Sequence, residues 1–211
     1  MKIKTRRYYI YYLAVIGRCV IASLPLSLGL YIGDLAGRLA YAILKKERRR
    51  TFNNLRDCFP ERAESEIDIM ARGVFSNLCK NAVELANIHK LKKKNLDKWV
   101  KAEGFEKVDH ALSKGKGVII LAAHFGNWEL IAIYFLLKGY RGHVVARRIY
   151  FDKYDNFINN VRVSKGVDII YRDESPKKIL RLLRKNELVG ILADQDVDSV
   201  DGVFVDFFGK Q

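Results

Sequence analysis

The stretch that decides the fold is GVIILAAHFGNWELIAIYFLLKG, which runs from Gly117 to Gly139. Its first seven residues form a buried apolar run typical of a strand, and residues 128–138 are typical of a helix. Between them the chain places His124, a turn through residues 125–128, and Glu129. Polar groups at the edge of a core cost free energy unless they are paired. The segment is therefore either a satisfied structural turn or a functional site.

The alternation of strand and helix continues from this stretch to residue 193. Further strands are predicted at residues 143–146, 167–171 and 188–193. Helices are predicted at residues 155–164 and from Ser175, with Ser175 as the N-cap and Pro176 in the first turn. Strands separated by helices join through right-handed crossovers into a mainly parallel sheet. The predicted fold class is α/β, with a mainly parallel sheet flanked by helices.

The N-terminal part of the chain has a different composition. The whole chain carries a formal net charge of +14, which favours a polyanionic partner such as a nucleic acid, an anionic membrane or an acidic carrier protein. Residues 1–50 contain eleven Lys and Arg but only two acids, Asp34 and Glu47. These cations flank the most apolar part of the chain, and this favours a membrane surface over a nucleic acid.

Residues 8–33 contain a single charge, Arg18, and are long enough to cross a hydrocarbon core of about 30 Å as a helix. Arg18 and Pro25 argue against a span, because a charge and a helix breaker are both unfavourable at mid-membrane depth. Basic residues on both sides place both ends in the cytoplasm. A helix lying in the interface or dipping into one leaflet is therefore predicted, in preference to a span or a cleaved signal peptide.

The predicted organisation has two parts. Residues 1–50 form an N-terminal helical segment associated with the membrane, and residues 51–211 form a single α/β domain. An amphipathic helix at residues 64–87 packs on that domain. Cys19, Cys58 and Cys79 show no metal-binding spacing, so they are interpreted as reduced thiols.

Polar residues follow each predicted strand, and the carboxyl ends of parallel strands share one edge of the sheet, where ligands bind. These residues are His124; Arg147 and Arg148; Arg172 and Asp173; and Asp194 and Gln195. One such residue would mean little, since turns are polar in any case. Their coincidence with an imidazole makes this edge the predicted site.

The spacing of His124 and Glu129 restricts how the two side chains can meet. On one regular helix, residues five apart point about 140° away from each other. If His124 instead ends the strand and the helix begins near Asn127, a turn at Gly126 can fold the imidazole over Glu129. Glu129 then accepts a hydrogen bond from one ring nitrogen and leaves the other as a general base. A histidine that merely caps a strand stays the alternative.

The residues around His124 contain no GxSxG motif and no adjacent Ser or Cys, so no acyl-enzyme is indicated. A histidine and a carboxylate suit direct deprotonation of a substrate hydroxyl, which then attacks an activated acyl group. One His and one Glu at this spacing lack a third metal ligand, so no metal is expected.

The segment HFGNWE, residues 124–129, resembles the H-x4-D/E signature of glycerolipid acyltransferases, in the form found in bacterial lipid A biosynthesis acyltransferases, which include lauroyl and myristoyl transferases of the inner membrane. Other segments of the chain resemble the same family. They are Asn54-Leu55-Arg56 with Phe59-Pro60, Arg162 with Gly166, Asp194-Gln195, Gly202-Val203-Phe204 and Phe207-Phe208-Gly209. The resemblance covers the chain from about residue 20 to its end.

The resemblance implies that His124 is the general base and Glu129 its partner. It also implies six candidates for binding substrate: Asn127, Arg147, Arg148, Arg162, Asp194 and Gln195. The implied donor is an acyl carrier protein thioester, the acceptor is a lipid A precursor or related glycolipid, and the location is the cytoplasmic face of the bacterial inner membrane. No cofactor and no nucleic acid are expected. Since family members continue past the FFG block, this chain is expected to lack the family's C-terminal part.

Three alternatives stay open from the sequence. In the first, the acceptor is another lipid, such as a phospholipid or a glycosylated phosphatidylinositol. In the second, the chain is an inactive protein that binds a lipid or a carrier. The third alternative, a nucleic-acid binder, explains the charge but neither the apolar N-terminus nor the position of His124.

Overall fold

The computed structural model describes residues 2–195 and 205–209. In chain order the helices are α1 (Lys2–Ser23), α2 (Leu26–Ile43), α3 (Lys45–Cys58), α4 (Glu64–Ala86), α5 (Leu96–Trp99), α6 (Phe105–Leu112), α7 (Glu129–Lys138), α8 (Asp152–Val163) and α9 (Ser175–Arg184). The strands are β1 (Val118–Ala122), β2 (Gly142–Ala146), β3 (Asp168–Tyr171) and β4 (Leu188–Leu192). Short 3₁₀ turns occupy Ile88–Lys90, Lys93–Asn95 and Arg172–Glu174.

The chain divides into two compact units. One contains Met1–Cys19 and Leu85–Gln195, and the other contains Val20–Glu84 and Asp196–Gln211. The sheet lies in the first unit. The division predicted from composition, residues 1–50 and 51–211, concerns membrane association and catalysis, and it stays a prediction.

The sheet has four parallel strands in the order β1-β4-β2-β3. Ala122 at the end of β1 is level with Leu192 of β4, and Ala146 at the end of β2 is level with Tyr171 of β3. This register gathers the carboxyl ends of the strands at one edge. The predicted α/β class with a parallel sheet is therefore confirmed.

Helices cover the two faces of the sheet with separate apolar clusters. Ile133 and Tyr134 of α7 pack with Val161 and Val167 on one face, together with the partly buried Val144. On the other face, Leu182 of α9 packs with Ile170 and Val189, together with the partly buried Val145. The neighbours Val144 and Val145 serve opposite clusters because successive strand side chains point to opposite faces.

The second unit is built on the packing of α2 against α4. A Cβ added to Gly37 would lie 2.5 Å from the Cα of Ser76, so only glycine allows this approach of the two helices. Asp34 accepts hydrogen bonds from Ser76 and Arg38 and pairs with Lys80, and these contacts lower the pKa of Asp34 to about 2. Tyr41 meets Phe75 edge-to-face with ring centroids 5.4 Å apart.

Two segments quoted for the family resemblance meet in this unit. The ring of Phe59 lies 5.3 Å from the ring of Phe208. Gly202-Val203-Phe204 lies outside the described residues.

Two sequence predictions need correction at this level. Glu174, and not Ser175, is the N-cap of α9, because the preceding 3₁₀ turn already continues into the helix. The apolar run at residues 8–33 is divided between α1 and α2, since Pro25 fills the N-cap position of α2. In the described part of the chain, no helix has both the length and the apolar character that crossing a membrane requires.

Candidate active site

His124 lies at the carboxyl edge of the sheet, two residues after β1 ends. The chain then turns through Gly126, which has a φ of +57°, a left-handed conformation that glycine adopts without strain. Helix α7 begins at Glu129 with Trp128 as its N-cap. The strand-to-helix turn has the predicted form, although the helix begins two residues later than the sequence indicated.

Asp194 is the hydrogen-bond partner of His124. Its Oδ1 lies 2.8 Å from the imidazole Nδ1, and its Oδ2 accepts a hydrogen bond of 2.8 Å from the backbone N–H of His124. A carboxylate can only accept, so Nδ1 carries the proton of this bond and Nε2 is left as the basic nitrogen. Burial raises the pKa of Asp194, but the hydrogen bonds from His124 outweigh it and hold this pKa below its ordinary value.

The strand order explains this pairing. Strand β4 lies beside β1, although His124 and Asp194 are 70 residues apart in the chain. The hydrogen bond from Ala193 N–H to Ala122 O, 3.2 Å long, extends the β1–β4 ladder to the level of the turn. Asp194, the next residue, is therefore delivered to the side of His124.

Glu129 has a different partner from the predicted one. Its carboxylate receives two hydrogen bonds from Arg162 of α8, at 2.5 Å and 2.8 Å, and both side chains are less than 20% exposed, at 14% and 18%. The hydrogen bond predicted between His124 and Glu129 is thus replaced by two separate pairs. The physical reason is that the planar guanidinium offers two parallel donors, which fit a carboxylate better than a single ring N–H does.

Trp128 connects the two pairs along the chain. Its ring meets the imidazole of His124 at a centroid distance of 4.9 Å and an interplanar angle of 66°. Such edge-to-face packing limits rotation of the imidazole, so the turn presents His124 in one orientation.

An apolar cavity lies between α7 and the sheet. Its walls include residues of both strands and helix: Ile120, Ala122, Ile131, Phe135, Val144 and Ile191. Trp128, Glu129 and Arg162 also line it, so the polar pair and the apolar space adjoin.

The remaining sequence-predicted residues are more scattered. The Arg148 guanidinium lies 3.8 Å above the ring of Tyr171, and one of its nitrogens is 3.8 Å from Glu174. Arg147 and Gln195 are exposed, while Asn127 is half-buried in the turn before α7. Arg162 is held by Glu129, so its donors are directed into the protein.

Sequence reasoning missed two residues near the site, Asp155 and Tyr171. Asp155 is 6% exposed and accepts hydrogen bonds from the Ile149 backbone N–H and the Tyr171 hydroxyl. The signal was available in part, because Asp155, Asn159 and Arg162 repeat at helical spacing. Within residues 2–195 and 205–209, no three His, Cys, Asp or Glu side chains form a group that could hold a metal ion.

The sequence model of the family described as bacterial lipid A biosynthesis acyltransferase matches residues 1–211. The chain is 27% identical over 188 residues to the lipid A biosynthesis acyltransferase of Haemophilus influenzae, covering 87% of this chain and 55% of that protein. It is 26% identical over 177 residues to the lipid A biosynthesis myristoyltransferase of Escherichia coli, covering 84% of this chain and 54% of that protein.

A further similarity is to the phosphatidylinositol mannoside acyltransferase of Mycobacterium tuberculosis, with 30% identity over 112 residues, 51% of this chain and 35% of that protein. The chain spans about half the length, 55% and 54%, of the two lipid A relatives described above.

Proposed function

Because the chain belongs to the bacterial lipid A biosynthesis acyltransferase family, we propose that it transfers a fatty acyl group to a hydroxyl of a lipid A precursor or related glycolipid. The observation that carries the proposal is the His124–Asp194 pair at the edge of the sheet; Trp128, whose ring packs against His124, also lines an apolar cavity. An imidazole oriented by a carboxylate suits deprotonation of a hydroxyl, and a nearby apolar cavity suits a fatty acyl group.

His124 acts as the general base in this proposal. Its Nε2 takes the proton of the acceptor hydroxyl as the oxygen attacks the carbonyl carbon of an acyl thioester. The tetrahedral intermediate then expels the thiolate, the carbon–sulfur bond breaks, and the imidazolium returns the proton to sulfur. The products are an ester and a thiol, and no covalent acyl-enzyme is needed.

Asp194 positions His124. Its two oxygens fix both the backbone and the ring of the histidine, and its negative charge stabilises the imidazolium that forms during the reaction. The N-terminus of α7, which directly follows the turn, favours the negative charge that develops on the carbonyl oxygen.

Glu129 and Arg162 support this turn from the other side. Their bidentate ion pair ties the first residue of α7 to α8 and forms part of the cavity wall. In this role Glu129 is a positioning residue, and its charge is neutralised by Arg162. The apolar part of the cavity holds the acyl chain, whose burial is favourable by about 0.8 kcal/mol per methylene.

We assign the acyl donor to an acyl carrier protein. The basic character of the chain, with a net charge of +14, supports an acidic carrier. Lys92 to Lys94 form an exposed basic segment on the sheet-containing unit, and Arg147 lies exposed at the edge of the sheet.

Membrane association is proposed on the outer face of α2. Five large apolar side chains, between 37% and 64% exposed, repeat every three or four residues along this helix: Leu28, Ile32, Leu35, Leu39 and Ile43. The exposed Tyr31 lies beside them. Helix α3 follows with Lys45, Lys46, Arg48, Arg49 and Arg50. An apolar helical face next to a basic segment suits the surface of an anionic membrane, in the present case the cytoplasmic face of the inner membrane.

This membrane proposal is tested with vesicle flotation of the full chain. Replacing Leu35 and Leu39 together by Glu is expected to abolish binding to vesicles that contain phosphatidylglycerol. Leu180→Glu is the matched control, because Leu180 is also an exposed helical leucine, at 56%. Equal binding of both variants would contradict a role of α2.

A second acceptor class deserves a direct comparison because the similar mycobacterial protein is named as a phosphatidylinositol mannoside acyltransferase. The chain is incubated with an acyl carrier protein thioester and with either a lipid A precursor or a phosphatidylinositol mannoside. Mass spectrometry then detects the acylated product. Transfer to the lipid A precursor, lost in His124→Ala, supports the proposal; transfer to the mannoside alone supports the second acceptor; binding without transfer identifies an inactive lipid-binding chain.

A further inference from the structure

One face of α8 carries three polar side chains whose spacing places them in a row along the helix. Asp155, Asn159 and Arg162 are four and three residues apart. Arg162 donates through Nη1 to the Asn159 Oδ1 at 3.3 Å, and it donates twice to Glu129. The row therefore ends at the first residue of α7.

Asp155 forms the other end of the row, and both of its carboxylate oxygens accept hydrogen bonds. Its Oδ1 accepts from the backbone N–H of Ile149 at 2.9 Å. Its Oδ2 accepts from the Tyr171 hydroxyl at 2.6 Å and from the Asn159 Nδ2 at 2.8 Å. Burial raises the pKa of Asp155, but these donors and nearby arginines outweigh it and lower that pKa. The carboxylate is therefore charged at neutral pH and fully engaged.

Tyr171 joins this row to the edge of the sheet. It is the last residue of β3, its hydroxyl contacts Asp155 and Asn159, and its ring supports the Arg148 guanidinium at 3.8 Å. Arg148 belongs to the loop after β2, which Asp155 also holds through Ile149. One set of contacts thus spans the loop after β2, the end of β3, helix α8 and the start of α7.

We propose that Asp155, Asn159 and Tyr171 are positioning residues of the active site, which hold Arg162 on Glu129 and thereby fix the start of α7 behind His124. The inference rests on the proposed function, because it concerns the geometry of the same site. None of the three residues touches His124. Their effect passes through the Glu129–Arg162 pair.

The first test is Tyr171→Phe, which removes the hydroxyl and keeps the ring under Arg148. Loss of a hydrogen bond in the row is expected to lower kcat roughly 5- to 10-fold, with a smaller change in the KM of the acyl donor. Tyr140→Phe is the matched control, because the Tyr140 hydroxyl donates to Asp109 at 2.5 Å and neither residue is among those that line the cavity. Equal kcat values for the two variants would overturn the proposal.

The second test asks whether Tyr171 acts through Arg162. In an Arg162→Lys background, the bidentate pair with Glu129 is already lost, so adding Tyr171→Phe is expected to change kcat less than twofold. A purely structural role for the hydroxyl predicts multiplied losses, and multiplied losses would therefore contradict positioning through Arg162.

A third measurement does not depend on activity. The Nε proton of Arg162, bonded to Glu129, is followed by NMR in the full chain. Its exchange with water is expected to accelerate roughly fivefold in Tyr171→Phe and Asn159→Ala, and to be unchanged in Tyr140→Phe. If the exchange rate of the Arg162 Nε proton is unchanged in all three variants, the positioning proposal is wrong. If the unmodified chain transfers no acyl group but the Arg162 Nε proton still exchanges faster in Tyr171→Phe and Asn159→Ala, the proposed function is wrong. The three residues would then still hold Arg162 on Glu129.

Discussion

The sheet contains two histidine–carboxylate pairs, one at each end. His124 and Asp194 lie at the carboxyl edge, with 29% and 26% of their side-chain surfaces exposed. His143 and Glu187 lie at the opposite edge, where β2 and β4 begin, and both side chains are only 12% exposed. The distance from the ring nitrogen to the carboxylate oxygen is 2.8 Å in the first pair and 2.5 Å in the second.

The difference between the pairs lies in the second ring nitrogen. In His143 the Nε2 meets Glu187 at 2.5 Å, and the Nδ1 lies 3.7 Å from Asp168, so carboxylates face both nitrogens. In His124 the Nδ1 meets Asp194, and the backbone N–H of the same residue occupies the second carboxylate oxygen. A base needs a nitrogen that substrate can reach. A carboxylate partner alone therefore does not distinguish a general base from a structural histidine.

The largest expected effect comes from His124→Ala. Removing the general base should lower kcat by about 10³-fold or more. In the parallel variant His143→Gln, kcat should fall far less, because carboxylates face both ring nitrogens of His143. Kinetics with a carrier thioester and a lipid A precursor provide the measurement. If the two variants lose kcat to a similar extent at equal folded fractions, His124 has no catalytic role that His143 lacks.

The next largest effect is expected from Asp194→Asn. The amide can offer a donor to Nδ1, which shifts the proton to Nε2 and removes the basic nitrogen. We expect kcat to fall about 10²-fold, while the acceptor KM changes little. Glu187→Gln, the corresponding change in the buried pair, serves as the control. An Asp194→Asn variant with the kcat of the unmodified chain would show that His124 needs no orienting carboxylate.

For the buried pair the expected effect is on stability. His143→Ala leaves the largely buried Glu187 carboxylate without its hydrogen-bond donor, so the free energy of unfolding should fall by about 1–3 kcal/mol. Urea denaturation followed by circular dichroism measures this change. His124→Ala, whose partner Asp194 is nearer to water, should cost less. If His124→Ala lowers the free energy of unfolding more than His143→Ala does, burial does not determine how much each pair contributes to stability.

The elements around His124 were predictable because their signals are local. The apolar run at residues 117–123 became β1, and the run at 128–138 became α7, each within two residues. The turn at Gly126 also followed from the neighbouring pattern, and its left-handed conformation is a finding of the structure. A buried strand and a buried helix differ in length and in their flanking residues, and both features are written in the sequence itself.

The pairings of the site were less predictable because they depend on strand order. His124 and Asp194 were both placed at the edge of the sheet, but only the position of β4 between β1 and β2 makes them neighbours. Likewise, Glu129 and Arg162 are 33 residues apart, and the helix that carries Arg162 had to be oriented before the ion pair could be foreseen. The sequence therefore predicts Glu129, a neighbour of His124 along the chain, as its partner.

The smallest expected effect is the pH dependence that Asp194 gives to stability. Its pKa is lowered in the folded chain, so the unfolded chain binds a proton first as the pH falls. The stabilisation is complete above the ordinary aspartate pKa of 3.8 and is lost as the pH falls through the lower folded value. Because the pair is partly exposed, we expect a contribution of only about 0.5–1 kcal/mol. Urea unfolding of the unmodified chain and of Asp194→Asn between pH 7 and about pH 3 should show a difference that narrows at the acid end. If the difference in free energy of unfolding instead widens as the pH falls towards 3, His124 does not hold the Asp194 carboxylate in its charged form.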